Sequence, residues 1–209
     1  MNFLFILAFI LAYLIGAIPF SVLTGKLFFG IDVRKSGSGN AGATNTMRVL
    51  GKRAGFAVLV LDVAKGMFAV SLSYYLGKIS MADDKFILYQ LGLGMAATLG
   101  HIFPVYLWFK GGKGVATLFG VILAIFPVAA GVCTLVFFLM FFISKYVSLS
   151  SMLASIFFPL SVIFLLKDFY LPVIIFSMLI PALVIYTHRE NISRLRNGTE
   201  NKFSFGRKQ

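Results

Sequence analysis

The sequence predicts an all-α integral membrane protein with seven transmembrane helices, its N-terminus outside and its C-terminus in the cytoplasm. Three observations lead there. The chain of 209 residues is 59% hydrophobic and only 12% charged, too apolar for a soluble domain of that length. The apolar residues fall into long runs divided by polar stretches. The 19 Lys+Arg, set against 7 Asp+Glu, cluster in a few of those stretches. On such a chain a net charge of +12 reads as cytoplasmic loops beside anionic lipid, not as a nucleic-acid surface.

The first span runs from about Asn2 to Leu27 and contains Gly16 and Pro19. No basic residue stands ahead of Asn2–Phe20, so it reads as a retained span rather than a cleaved signal peptide. A polar loop at about 30–53 follows, then a second span over about Ala54–Leu76 and a short loop over Gly77–Lys85. The third span, about Phe86–Phe109, delivers a glycine-rich loop at 110–114. The next apolar run, Val115–Ile143, exceeds one ordinary span of ~20 residues, and Pro127 interrupts it. Spans over about Leu149–Leu166 and Phe169–Thr187 complete the set, and a polar tail occupies 188–209. The whole of 1–209 reads as a single polytopic membrane domain.

Charge decides how the Val115–Ile143 run is divided. Kept whole, it gives six spans and puts the tail opposite the other two polar stretches. Cut at Pro127, it gives seven spans and puts all three polar stretches on one side with 15 of the 19 cations. The other side keeps Lys78, Lys85 and Lys167, offset by Asp83, Asp84 and Asp168, and Lys65 lies inside the second span. The positive-inside rule then makes the shared side cytoplasmic. The two short helices need Pro127 to turn in the outer leaflet, or the bilayer to thin locally.

Each polar stretch carries groups suited to an anion. In the first, Ser36-Gly-Ser-Gly-Asn-Ala-Gly-Ala-Thr-Asn45 leads to Arg48. Gly37, Gly39 and Gly42 fit G-x-G-x-x-G, but a membrane helix rather than a strand precedes them, which excludes a dinucleotide-binding unit. Hydroxyls, amides and backbone N–H groups suit phosphate oxygens, and an arginine can grip two of them at once. In the second, Lys110-Gly-Gly-Lys113-Gly114 offers two ammonium groups beside glycines free to take positive φ, so that several amides can face one spot. It is not a P-loop, because Leu107 stands where a glycine is required. In the third, His188 and Asn191 are three apart, so a continuing helix would put them on one face. His188 can act as a base or hold a hydroxyl. Arg194 and Arg196 read as a basic helix end facing lipid headgroups.

Other polar residues read structurally. Asp62 and Lys65, at i and i+3 in the second span, are expected to pair and hold helices together. His101 also reads as structural. Cys133, the only cysteine, excludes a disulfide within the chain, and two histidines without a carboxylate cluster make a metal site unexpected. No heptad or GxxxG-type face stands out, so a monomer is expected.

Three segments together carry a resemblance. Gly37-Ser-Gly-Asn-Ala-Gly-Ala-Thr-Asn45 with Arg48 is the first. Gly100-His101 through Lys110-Gly-Gly-Lys-Gly-Val-Ala-Thr117 is the second, and His188-Arg-Glu-Asn-Ile192 the third. In order and spacing they resemble the signature loops of the bacterial acyl-phosphate:glycerol-3-phosphate acyltransferases, the PlsY family. The likeness spans the chain and includes Leu61-Asp-Val-Ala-Lys-Gly66. It implies an enzyme of the bacterial cytoplasmic (inner) membrane, multi-pass, with its active site facing the cytoplasm. The implied reaction moves a fatty acyl group from acyl-phosphate to the 1-hydroxyl of sn-glycerol 3-phosphate, giving lysophosphatidic acid and phosphate as the first step of phospholipid synthesis.

By motif position the substrate-binding residues would be Ser38, Gly39, Asn40, Thr44, Asn45 and Arg48, with Lys110, Gly111, Gly112, Lys113 and Gly114. Of these, Ser38, Arg48 and Lys113 would hold the phosphate of glycerol 3-phosphate. His188 and Asn191 would be catalytic and hold its hydroxyls. The resemblance implies no cofactor and no metal. The implied partners are the two substrates, membrane lipid and the enzyme that makes the acyl-phosphate. Acyl-phosphate is a mixed anhydride with a good leaving group, so no enzyme nucleophile is required; the base is either His188 or the donor's own phosphate. The rival reading is a transporter of phosphate or glycerol phosphate, which would call for internal repeats and broken helices at the bilayer midplane. Neither is visible in the sequence.

Overall fold

The computed structural model describes residues 3–76 and 83–203, and all its regular elements there are helical. Residues 77–82 of the loop expected at Gly77–Lys85, with Lys78, lie outside the described residues, as do Arg207 and Lys208 of the tail. The chain forms two compact units, Met1–Ile125 and Phe126–Gln209.

In the first unit, α1 (Phe3–Ala17) and α2 (Phe20–Phe29) are one apolar run bent by 45°. Pro19 supplies the cause, having no N–H to continue the ladder. A 3₁₀ turn at Val33–Lys35 leads to α3 (Ala43–Leu50), and α4 (Lys52–Leu76) and α5 (Asp83–Ile102) follow. The stretch expected as a polar loop at 30–53 therefore contains a helix. A second 3₁₀ turn, Val105–Leu107, and the glycine loop lead to α6 (Val115–Ile125). The core is built on small residues: Ala8 and Ala12 of α1 meet Ala69 and Leu72 of α4 and Tyr89, Leu93 and Ala97 of α5. Helices α4 and α6 touch backbone to backbone, since a Cβ on Gly66 would meet the Thr117 carbonyl and one on Gly120 the Val63 carbonyl.

In the second unit, α7 (Pro127–Ser144), α8 (Val147–Leu160) and α9 (Leu171–Thr187) pack in sequence, with Phe158 lying edge-on to Phe126 and Phe176. Helix α8 continues into a π-helical turn, Ser161–Leu165, just past Pro159. Helix α9 gives way to α10 (Arg189–Arg196) through a 60° bend. The chain beyond α10 returns to α7: the Phe203 amide donates to the Lys145 carbonyl at 2.8 Å, and its ring meets Phe141 at 5.5 Å.

Among the described residues, four helices are long and apolar enough to cross a membrane, and six spans result if each bent pair counts as one. The run over Val115–Ile143 is broken at Pro127, as its length and proline suggest. Its first part, α6, has 11 residues, or roughly 17 Å at 1.5 Å per residue, short of a ~30 Å hydrocarbon core. The fold is that of a multi-pass α-helical membrane protein.

Candidate active site

The first polar stretch is an ordered scaffold. Asp32 caps the 3₁₀ turn through the Arg34 amide at 3.1 Å and receives the Arg34 guanidinium on both oxygens, at 3.0 and 2.7 Å. That paired bond, against the opposing effect of burial, holds the Asp32 carboxyl down at about 2 and pushes the Arg34 guanidinium up. Gly37 and Gly39 sit at φ 65° and 73°, which glycine adopts without strain.

Asn45, expected to face substrate, is buried and fastens this loop. Its carbonyl accepts from the Ser38 amide at 2.7 Å, and its NH₂ donates to the carbonyls of Val33 at 2.7 Å and Ser36 at 3.2 Å. Ser38 and Gly39 are thereby held exposed, and Asn40 and Thr44 half-buried. Helix α3 starts at Ala43 behind Gly42, which has no side chain to cap it. The first-turn amides of such a helix have no partners within the helix, and its dipole favours an anion there. Arg48 is exposed on α3 one turn beyond Thr44 rather than in a loop.

The glycine loop departs from the expected cradle. The amides of Lys110, Gly111 and Gly112 donate to the carbonyls of Leu107, Ile102 and His101 at 3.1–3.2 Å, so they serve the fold. Among the loop's three glycines only Gly114, at φ 80°, takes the left-handed conformation. Gly111 and Gly112 are required by space, because a Cβ would strike the His101 carbonyl in one case and the His101 ring nitrogen Nε2 in the other. Lys110 is exposed and Lys113 half-buried. Just before the loop, Trp108 and Phe109 adopt φ 52° and 62° and stand 87% and 58% exposed. Exposed aromatics beside lysine suit a membrane–water boundary, and the run Trp108-Phe109-Lys110 carries that signal in the sequence itself.

Behind the loop lies a buried ionic network. Lys65 Nζ is 2.8 Å from Asp62 Oδ1 and donates to the Ile18 carbonyl at 2.9 Å, at the bend between α1 and α2. His101 Nδ1 stands 3.1 Å from Thr117 Oγ1 and 3.6 Å from Asp62 Oδ1. Asp62, Lys65 and His101 line a cleft with Ile18, Ala41, Gly111 and Gly112. The expected pairing of Asp62 with Lys65 is present, and His101 is buried beside it.

In the second unit, His188 sits at the bend between α9 and α10, so it and Asn191 do not share one continuous helix. Both are nevertheless buried, at 3% and 6% exposure. His188 Nδ1 is 2.8 Å from the Val184 carbonyl. A carbonyl only accepts, so Nδ1 carries a proton and donates it to Val184. Asn191 donates to Glu200 Oε1 at 2.6 Å, and Arg194 Nε to Glu200 Oε2 at 2.8 Å. Arg194, read from sequence as a lipid-facing charge, is therefore partnered within the protein. Sequence reasoning assigned nothing to Glu200, and its spacing from Asn191 carries no helical signal.

The helices and loops define a class: an integral membrane protein with ordered, cation-bearing polar segments between its apolar helices. Comparison with known proteins gives the family. The family model described as "Glycerol-3-phosphate acyltransferase" matches residues 6–198. Glycerol-3-phosphate acyltransferase of Bacillus cereus (strain G9842) is 44% identical over 203 residues, covering 97% of each chain. That of Fusobacterium nucleatum is 45% identical over 196 residues, covering 94% of this chain and 96% of its own. Two crystal structures of PlsY (YgiH), an integral membrane glycerol 3-phosphate acyltransferase, match this fold. Its glycerol 3-phosphate form has TM-score 0.85 and 40% identity over 96% of each chain. Its lysophosphatidic acid form has TM-score 0.83 and 39% identity over 96% of this chain and 95% of that one. The chain belongs to the glycerol-3-phosphate acyltransferase family.

Proposed function

We propose that this protein transfers a fatty acyl group from acyl-phosphate to the 1-hydroxyl of sn-glycerol 3-phosphate, forming lysophosphatidic acid and inorganic phosphate. The observation that carries the reading is the Gly37–Arg48 segment. Asn45 fixes a glycine turn that exposes Ser38 and opens onto the uncapped start of α3, with Arg48 on the same helix. Groups of this kind suit a dianionic phosphate. Family membership, and a relative solved in forms with glycerol 3-phosphate and with lysophosphatidic acid, supports the same substrate and product here.

Ser38, Arg48 and Lys113 take the substrate phosphate, with Gly39, Asn40 and Thr44 shaping the turn around it and Asn45 holding that turn from beneath. Lys110 and Gly114 flank Lys113, and Gly111 and Gly112 seat the loop on His101. His188 and Asn191 hold the glycerol hydroxyls. The 1-hydroxyl oxygen bonds to the donor's carbonyl carbon and the bond from that carbon to the phosphate oxygen breaks. The hydroxyl proton passes to His188 Nε2 or to the departing phosphate. Positioning and charge stabilisation supply most of the rate.

The same proposal places the site in the cytoplasm, in a seven-span protein of the bacterial inner membrane with α6 as the short crossing. The concentration of cations in the three polar stretches supports it. Turnover by detergent-solubilised protein is the test. Lysophosphatidic acid should form from acyl-phosphate and glycerol 3-phosphate without any sealed compartment. A protein that forms no product yet moves glycerol 3-phosphate across sealed vesicles would be a transporter.

A further inference from the structure

We infer that the turn at residues 103–109 is a membrane-interface anchor: Tyr106, Trp108 and Phe109 seat in the phospholipid headgroup layer and so set the depth of the glycine loop at 110–114. Docking of this kind does not depend on the reaction proposed above, and its test needs no turnover. Position along the chain is the first support. The apolar segment Lys85–Leu107 is long enough to cross a membrane, and it ends at the residue before Trp108. Tryptophan and tyrosine collect at that level because each joins an apolar ring to one polar N–H or O–H. Lys110, exposed beside them, brings a cation to the layer that holds lipid phosphate. The exposed run at 35–39 is instead Lys-Ser-Gly-Ser-Gly, a surface made for water.

The backbone of the turn is also suited to that layer. The amides of Leu107 and Phe109 donate to the Pro104 carbonyl, both at 3.0 Å, and the Trp108 amide to Val105 at 3.4 Å. Those of Lys110, Gly111 and Gly112 are bound to Leu107, Ile102 and His101. Consecutive amides from Leu107 to Gly112 are thus paired inside the protein. None is left to face lipid without a partner, which would cost free energy there. The same bonds tie the turn to the glycine loop, so the two share one depth.

The rings are turned outward by the backbone itself. Leu107 points inward, onto Val22, Val33 and Ala41. Trp108 and Phe109 then take φ 52° and 62° in succession, in the left-handed region that bulky residues rarely enter and glycine takes freely. Strain of this kind persists where something offsets it. With Trp108 87% exposed, the fold gives that ring little to pack against, and the headgroup layer supplies the contact.

Trp108 is the only tryptophan in the chain, so intrinsic fluorescence reports on this turn alone. The wild-type protein is reconstituted into phosphatidylcholine vesicles whose acyl chains carry bromine either near the headgroup or near the chain end. Emission is expected at shorter wavelength than that of tryptophan in water, with the stronger quenching from bromine near the headgroup. Water-like emission, quenched by aqueous iodide and by neither bromine, would overturn the inference. So would stronger quenching from the chain end, or a shifted emission that no quencher reaches, as cover by a second copy of the chain would give. Trp108→Phe/Phe109→Trp moves the reporter by one residue and should give the same order of quenching; the reverse order would count against the anchor. In detergent, Trp108→Gly should melt above Trp108→Ala, since both lose the ring and only glycine takes that φ without strain. An equal or lower melting temperature would refute the part given to the backbone in presenting the ring.

Discussion

Lys65→Met removes the cation from the buried pair on α4 and leaves the Asp62 carboxylate, 2% exposed, without its 2.8 Å partner. The Ile18 carbonyl loses a 2.9 Å bond at the same time, at the bend that joins α1 to α2. Breaking a buried pair from one side costs about 3–5 kcal/mol, because the surviving charge stays desolvated. For a chain of this length that is a fall of roughly 6–20 °C in Tm. Replacing both charges by apolar groups of similar shape removes the uncompensated charge, so Asp62→Leu/Lys65→Met should be more stable than Lys65→Met alone. Thermal unfolding of the purified variants in one detergent, followed by tryptophan fluorescence or by aggregation, reads all three. A single variant that melts with the wild type, or a double variant that loses the sum of two single losses, would refute the assignment of Asp62 and Lys65 as a structural clamp.

The remaining predictions concern the polar stretches. Arg48→Lys should raise KM for glycerol 3-phosphate roughly ten- to a hundredfold, the value of a charge-assisted bond lost when a planar fork becomes a point charge; unchanged kinetics would return Arg48 to a mere surface charge. Gly111→Ala should destabilise by about 1–3 kcal/mol, since its Cβ would meet the His101 carbonyl and backbone cannot swing aside; wild-type stability would show that the loop does not rest on α5. Asp32 has its carboxyl lowered from 3.8 to about 2, so its contribution is present above the ordinary carboxylate range and is lost as pH falls toward 2. Asp32→Asn should accordingly be less stable than wild type at neutral pH, and the gap should close on acidification; a gap that widens would contradict the pairing with Arg34.

Much of this fold could be read along the chain because its signals are local. Pro127 divides the long apolar run, Asp62 and Lys65 are spaced to pair, and three polar stretches carry the family resemblance. What was hidden depends on where the chain goes next. Helix α3 is eight residues with a glycine-rich lead-in, so in the sequence it looks like loop, and Arg48 looks like a loop residue with it. The glycines at 111 and 112 suggested a phosphate cradle, whereas the fold uses them to seat the loop on His101. Asn45 looked like one more donor among many, yet the return of the loop onto it makes it the fastening residue. Glu200 could not be found from spacing, because its partners Ser148 and Asn191 meet it only when the tail folds back on α7.

The central claim is direct acyl transfer from acyl-phosphate to glycerol 3-phosphate. It is tested by giving purified protein a donor labelled in its phosphate and an acceptor labelled in its glycerol, and counting both products in the same time course. The account predicts one inorganic phosphate released for each lysophosphatidic acid formed, with neither appearing when the other substrate is withheld. Phosphate release that continues without glycerol 3-phosphate, or lysophosphatidic acid that forms without phosphate release, would contradict it.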